Sequence, residues 1–143
     1  AVLKTKKFIK NKYFLMLLPD DLILSKNCSK DMIKIHRKYK GSVMASMKVK
    51  RNNVDRWGIY SISKNLDKLN FKISDVIEKP NTKDAPSNNA VIGRYILPRS
   101  IFNKIKSLKP KRGTPDSHWH TPFIKLLYPY NTKRVLKLFS SIY

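Results

Sequence analysis

The chain has 143 residues, and its 31 lysines and arginines against nine aspartates and glutamates give a formal net charge of +22 at pH 7. A hydrophobic content of 41% excludes an intrinsically disordered chain and predicts one globular domain over residues 1–143. The longest apolar run, residues 13–18, is far too short to cross a bilayer. Cys28 is the single cysteine, which excludes a disulfide framework or a cysteine zinc cluster within the chain.

The large positive charge has nucleic-acid binding as its most direct interpretation. The excess is mostly lysine scattered from Lys4 to Lys137, however, and not a stripe of arginines beside aromatic residues. Lysine, asparagine, isoleucine and tyrosine all have A/T-rich codons, so a biased genome explains their joint abundance without selection for a polyanion. We therefore expect no specific nucleic-acid partner. No secretory leader pattern is visible, and we expect a cytoplasmic protein without a membrane partner.

Apolar spacing predicts three elements in the first third of the chain. Residues 1–11 carry apolar side chains among lysines, which is typical of the end of an amphipathic helix. The continuous apolar run 13–18, stopped by Pro19, predicts a buried strand of a mostly parallel sheet. Residues 29–39 have apolar side chains at helical spacing and predict a helix that ends at Gly41.

Strand patterns dominate the rest of the chain. Four segments carry them: 42–49, a turn leading into a strand at 54–60, 71–78 and 89–97. A loop with proline and asparagine, 79–88, separates the last two. Residues 98–108 suit a helix with proline in its first turn, 123–128 are a short apolar stretch, and 135–139 predict a final strand. Strands alternating with helices indicate an α/β fold with a mixed sheet flanked by helices.

Two acids, Asp20 and Asp21, directly follow the predicted strand 13–18 in the sequence LLPDD. A carboxylate at the carboxyl end of a buried strand, held by a preceding proline, is well placed to bind Mg²⁺ against phosphate oxygens. Either acid could instead cap the following turn. From the residues alone, both interpretations stay open.

An acid and a base, Glu78 and Lys79, lie side by side where the strand 71–78 ends, just before Pro80. Such strand ends commonly hold polyhydroxylated or phosphorylated ligands, because a carboxylate accepts hydroxyl hydrogen bonds and an ammonium neutralises phosphate. The pair could also be an ordinary solvated one. Gly58 at a strand start is either a turn residue or a point where backbone approaches a ligand closely.

The motifs DVIEKP (75–80) and SNNAVIGRY (87–95) closely resemble the sugar-binding stretch of the bacterial UTP–glucose-1-phosphate uridylyltransferase family, which makes UDP-glucose. LLPDD (17–21) and WGIY (57–60) resemble further motifs of that family, the second with tryptophan where the family has tyrosine. The resemblance runs from residue 1 to about residue 112 and more faintly to the end. It implies a partial Rossmann-like nucleotide-diphospho-sugar transferase fold.

The resemblance also implies roles for individual residues. Asp20 is the Mg²⁺ ligand and Asp21 is structural. Glu78 accepts hydrogen bonds from glucose hydroxyls, Lys79 faces the phosphoryl oxygens, and the Gly58 backbone lies near the sugar. Asp20 and Lys79 are thereby the catalytic candidates. Two positions of the second motif complete the predicted substrate-binding set: Asn88 and Gly93.

For the intact family the resemblance implies UTP and glucose 1-phosphate as substrates, Mg²⁺ as cofactor and a homo-oligomer. This sequence lacks the family's Gly-x-Gly-Thr-Arg loop, which cradles the UTP phosphates. We therefore expect the chain to be the sugar-phosphate-binding, C-terminal part of a nucleotidyltransferase domain, with little or no activity alone. The alternatives are a noncatalytic basic module that binds nucleic acid or acidic surfaces, and a related nucleotidyltransferase with a different sugar or base.

Residues 113–122, GTPDSHWHTP, depart from the family, which has a Gly-Glu-Ile-Gln-Leu-Thr-Asp motif there. Codons for these residues, read one base later, give a string close to that motif, so we hypothesise a local frameshift or gene decay. The alternative is a real insertion. Asp116, Ser117 and His118 are adjacent, so their side chains diverge and do not form a triad. His118 and His120 alone do not complete a zinc site.

Overall fold

The structure is a computed structural model that describes residues 2–21, 23 and 27–107, together with the backbone of 135–139. Along the chain, the elements are a 3-10 helix (Val2–Lys7), β1 (Tyr13–Leu17), α1 (Cys28–Tyr39), β2 (Val43–Lys48), a second 3-10 helix (Arg51–Arg56), β3 (Gly58–Asn65), β4 (Asn70–Glu78), β5 (Asn89–Pro98), α2 (Ile101–Ser107) and β6 (Val135–Phe139). The predicted helix over 29–39 and the predicted strands are confirmed to within a few residues.

The six strands form one mixed sheet in the order β1-β5-β2-β6-β4-β3, with an additional pairing between β5 and β3. Among the described strands, β2 and β6 pair in parallel and every other pairing is antiparallel. The prediction of a mostly parallel sheet around β1 is therefore wrong. Leu15 and Leu17 of that run are 36% and 52% exposed. An unbroken apolar run does not distinguish a strand buried on both faces from one whose outer face also carries leucine.

Apolar side chains cover both faces of the sheet in two clusters, because residues alternate between the faces along each strand. On one side, Met32 and Ile35 of α1 pack with Val43 and Ala45 of β2. The second cluster brings together β2, β3, β4, β5 and α2, and its largest buried side chains include Met44, Tyr60, Tyr95, Leu97, Ile101 and Phe102. The strands β2, β3 and β5 contribute to both clusters, so β5 is anchored in the core on both faces of the sheet and supports the neighbouring loops.

Two further sequence predictions differ from the structure. Residues 2–7 form a 3-10 helix with no buried residue, where the pattern predicted the end of an amphipathic helix. The helix predicted over 98–108 begins only at Ile101, because Pro98 is still paired with Tyr13 as the last residue of β5. Proline is tolerated at a strand end, where it need not donate to the ladder. The stretches 113–122 and 123–128 lie outside the described residues. No helix in the described part of the chain is long and apolar enough to span a membrane.

Candidate functional site

A cleft of about 180 Å³ lies where β1 and β4 end and β3 begins. Its lining residues come from four separate segments: Leu18, Asp20, Asp21, Arg56, Trp57, Gly58, Glu78, Lys79, Val91, Gly93 and Tyr95. The cleft thus contains three carboxylates and two cationic side chains. Five of the six positions predicted for the site line it: Asp20, Gly58, Glu78, Lys79 and Gly93.

Asn88 is not among the residues that line the cleft. Its side-chain oxygen accepts a hydrogen bond from Arg51 at 3.4 Å, and its backbone oxygen accepts one from Val49 at 2.9 Å. These contacts join the end of the loop 79–88 to the second 3-10 helix and to the residue that follows β2. Asn88 therefore helps to hold the loop in place just before β5 begins, and its role in substrate binding stays a prediction.

Strand register brings the site together. Gly58 and Glu78 are directly paired in the hairpin of β3 and β4, and Ile59 pairs with Ala90 of β5. Leu17, the last residue of β1, pairs with Arg94 on the same edge of β5 as β3, because β2 pairs along the opposite edge. Since β5 contacts both neighbours, it holds the ends of β1 and β4 around one cleft. Val91, Gly93 and Tyr95 line that cleft at alternate positions of β5, as the two-residue period of a strand requires.

Two glycines leave room that a side chain would fill. A Cβ atom added to Gly93 would lie 2.5 Å from both the Asp21 carboxylate and the Leu18 Cβ, so the loop after β1 could not keep its position. A Cβ atom added to Gly58 would lie 3.0 Å from the Glu78 carboxylate and 3.2 Å from Val91. The absence of a side chain at Gly93 and Gly58 therefore lets the acidic groups approach the sheet closely.

The backbone at Lys79 is unusual for a residue with a side chain. Its φ is 45°, in the left-handed region that non-glycine residues rarely adopt. The Lys79 amide donates a hydrogen bond to the Trp57 carbonyl at 2.9 Å, and the following Pro80 is buried. These contacts hold the turn in place, and the exposed Lys79 side chain lines the cleft next to the half-buried Glu78. Strained backbone of this kind clusters at functional sites.

Tyr95 is a cleft residue that sequence reasoning missed. Burial raises the pKa of its phenol well above the usual value, and the carboxylates of Asp21, Asp20 and Glu78 raise it further. The pKa of the neighbouring Tyr60 is raised by burial and by Tyr95. Tyr95 is 1% exposed and stays protonated at any physiological pH, so it is a neutral hydroxyl among the acids. The two-residue spacing from Gly93 could have identified it.

The carboxylates of the cleft determine which kind of metal site it could form. No group of three or more histidine, cysteine, aspartate or glutamate side chains within the described residues is arranged to hold a metal ion by itself. The Asp21 carboxylate accepts a hydrogen bond from the Gly93 amide, whereas the Asp20 side chain is exposed at the cleft. Mg²⁺ commonly binds through one or two carboxylates, several waters and substrate phosphates. The cleft therefore suits a Mg²⁺ ion shared with a phosphorylated ligand better than an all-protein metal site.

Comparison with known proteins gives matches over most of the chain. The model of the family described as Nucleotidyl transferase matches residues 1–124. A protein of Methanocaldococcus jannaschii is 38% identical over 113 residues, which cover 79% of this chain and 39% of that protein. The UTP–glucose-1-phosphate uridylyltransferase of Komagataeibacter xylinus is 34% identical over 114 residues, covering 79% of this chain and 40% of that enzyme. The chain thus spans about 40% of the length of these curated relatives.

The fold also matches solved structures. The crystal structure of UDP-glucose pyrophosphorylase complexed with UDP-glucose is similar with a TM-score of 0.82 and 31% identity. The similarity covers 97% of this chain and 52% of that one. The predicted nucleotidyltransferase-type α/β fold with a mixed sheet is confirmed.

Proposed function

This chain belongs to the nucleotidyl transferase family, and on that premise we propose that its cleft is the sugar-phosphate half of a UTP–glucose-1-phosphate uridylyltransferase site. The reaction of such an enzyme converts UTP and glucose 1-phosphate to UDP-glucose and pyrophosphate. The relative of that name supports this choice, as does the similarity to a pyrophosphorylase solved with UDP-glucose. Membership of the family favours this function over a noncatalytic basic module.

One observation carries the proposal. An acid, a base and a second acid from two distant strand ends, Glu78, Lys79 and Asp20, line the same cleft. Glucose 1-phosphate needs these groups: acceptors for its hydroxyls and positive charge for its phosphate. Gly58 leaves the space beside the Glu78 carboxylate open, so the sugar can approach the strand backbone there.

The residues of this chain have separable tasks in the proposed reaction. Glu78 fixes the orientation of the hexose, and Lys79 neutralises the phosphate whose oxygen attacks the α-phosphorus of UTP. Asp20 would hold Mg²⁺, which when bound offsets the negative charge of the phosphates. Nucleotidyl transfer needs little covalent chemistry from the protein, so positioning and charge neutralisation account for most of the rate. The UTP requirement, cytoplasmic location and homo-oligomer remain predictions.

The test is calorimetric titration of the purified chain with glucose 1-phosphate in the presence of Mg²⁺. We expect saturable binding that Lys79→Ala weakens by about tenfold to a hundredfold and that Lys83→Ala retains. Lys83 is the matched control, because it is an exposed lysine of the same loop that does not line the cleft. Equal losses in the two variants would mean that the net charge of +22 binds any anion, and would overturn the proposal. Tighter binding of another sugar phosphate would identify a related nucleotidyltransferase instead.

A further inference from the structure

The loop that carries Asp20 stays attached to the sheet after β1 has ended. The β1–β5 pairing stops at Leu17, but the Leu18 amide still donates to the Gly93 carbonyl at 2.8 Å. Three residues later, the Asp21 carboxylate accepts a hydrogen bond from the Gly93 amide. Both backbone polar groups of Gly93 therefore bind the loop, one on each side of Asp20.

Arg94 adds a second connection from the same strand. Its Nη1 donates to the Leu18 carbonyl at 2.8 Å and to the Gly93 carbonyl at 3.1 Å. Its Nη2 donates to the Asp21 carbonyl. The guanidinium is planar with donors in a fixed fork, so it sets the distance between the two loop carbonyls that it binds. One side chain thereby spans the ends of the segment 18–21.

We propose that Arg94 is a positioning residue for Asp20, and that it acts by fixing the direction from which the Asp20 carboxylate enters the cleft. The inference rests on the proposed function, in which Asp20 meets a metal ion bound with a sugar phosphate. Pro19 fixes one backbone dihedral of the segment, and Arg94 fixes its two ends. Asp20 is exposed, so its orientation depends on this backbone and not on packing around its side chain. Groups that orient a metal ligand typically change metal affinity by about tenfold to a hundredfold when they are removed.

Arginine has a specific advantage at this position. A lysine has a single ammonium on a flexible stem, which can replace one carbonyl contact but does not fix the distance between two. A methionine of similar length keeps the apolar contacts of the stem and loses all three hydrogen bonds. The series arginine, lysine, methionine at position 94 therefore removes the hydrogen bonds to the loop in steps, while Asp20 and Gly93 stay unchanged.

The experiment measures Mn²⁺ binding by electron paramagnetic resonance with the purified chain and saturating glucose 1-phosphate. Thermal unfolding is recorded for each variant. We expect Arg94→Met to weaken Mn²⁺ binding by about tenfold and Arg94→Lys to lose part of that amount. Arg99→Met is the matched control, since Arg99 also donates to a backbone carbonyl, but its acceptor, Ile9, lies before β1 and not in the segment 18–21. It should leave Mn²⁺ affinity unchanged even if it lowers the unfolding temperature.

The same substitution in a chain that lacks the Asp20 carboxylate separates an effect of Arg94 on Asp20 from an effect on the stability of the whole fold. If Arg94 acts through Asp20, then Arg94→Met in an Asp20→Asn chain should cause no further loss of metal-dependent glucose 1-phosphate binding. Parental Mn²⁺ affinity in a folded Arg94→Met or Arg94→Lys chain would overturn the inference and leave the proposed function intact. Failure of the parent itself to bind glucose 1-phosphate would overturn the proposed function and the inference together. An equal loss in Arg99→Met would reduce Arg94 to a structural role.

Discussion

The loop after β1 and the turn after β4 both bring a carboxylate to the cleft, but different interactions hold them. A backbone hydrogen bond from Leu18 to Gly93 holds the start of the first, but side chains connect its acidic end to β5, through the Asp21 carboxylate and the Arg94 guanidinium. Backbone groups hold the second, through the pairing of Glu78 with Gly58 and the hydrogen bond from Lys79 to Trp57. Substitutions should therefore displace Asp20 easily, whereas Glu78 should keep its place when neighbouring side chains change.

The largest expected effect is on ligand affinity at the backbone-held turn. Glu78→Gln should weaken glucose 1-phosphate but leave inorganic phosphate unaffected, because only the sugar hydroxyls use the carboxylate. Lys79→Ala should weaken both ligands. Each lost charge-assisted hydrogen bond should cost roughly 1.5–3 kcal/mol, or about tenfold to a hundredfold in affinity. Calorimetric titration with the two ligands measures the difference. Parallel losses for both ligands in Glu78→Gln would contradict the division of tasks.

The two glycines offer a test on stability. Gly93→Ala should lower the free energy of unfolding by about 1–3 kcal/mol, because the new methyl group meets Leu18 and Asp21 at 2.5 Å. Gly58→Ala should cost less, since its nearest neighbours are side-chain atoms at 3.0 and 3.2 Å. Urea unfolding of both variants provides the comparison. A larger loss in Gly58→Ala would show that the turn after β4 is the more tightly packed of the two.

Local pattern predicted most elements because strand alternation and helical spacing are properties of a few neighbouring residues. Whether neighbouring strands pair in parallel or antiparallel was not predictable in the same way. The run 13–18 looks alike whether its partner is parallel or antiparallel, and the partner strand, β5, begins 72 residues after Leu17. Pro98 likewise fitted a helix start until its pairing with Tyr13 kept it in β5.

Some features of the cleft could likewise be predicted from the sequence and others could not. The place of Asp20, Glu78 and Lys79 at the cleft was predictable, because the motifs that carry the family resemblance put them at strand ends, whereas their roles in binding stay predictions. The Arg94 connection was not, since it joins residues 73 and 76 positions apart through backbone carbonyls that have no sequence signature. The left-handed backbone at Lys79 was also invisible, because only glycine or asparagine at such a position would have indicated it.

The adjacent acids of the side-chain-held loop should differ in what they lose. Asp20→Asn should leave the free energy of unfolding nearly unchanged, because its side chain is exposed, and should weaken metal-dependent ligand binding by about tenfold. Asp21→Asn should lower the free energy of unfolding by about 0.5–1.5 kcal/mol. The asparagine side-chain oxygen would accept a weaker hydrogen bond from the Gly93 backbone N–H than the carboxylate does. Urea unfolding and Mn²⁺ titration of both variants measure this. Equal destabilisation would argue against an exclusive structural role for Asp21.

The smallest expected effect concerns strain at the turn after β4. A left-handed backbone costs a residue with a Cβ atom roughly 1–2 kcal/mol, and glycine avoids that cost but loses more entropy on folding, about 0.5–1 kcal/mol. Lys79 has a φ of 45°, so Lys79→Gly should be more stable than Lys79→Ala by about 0.5–1 kcal/mol. Both variants lose the ammonium group, so the pair isolates backbone strain from that loss. Urea unfolding at equal protein concentration measures the difference. If Lys79→Ala were the more stable, the turn would have relaxed out of the left-handed region, and the hydrogen bond to Trp57 would not be what holds it there.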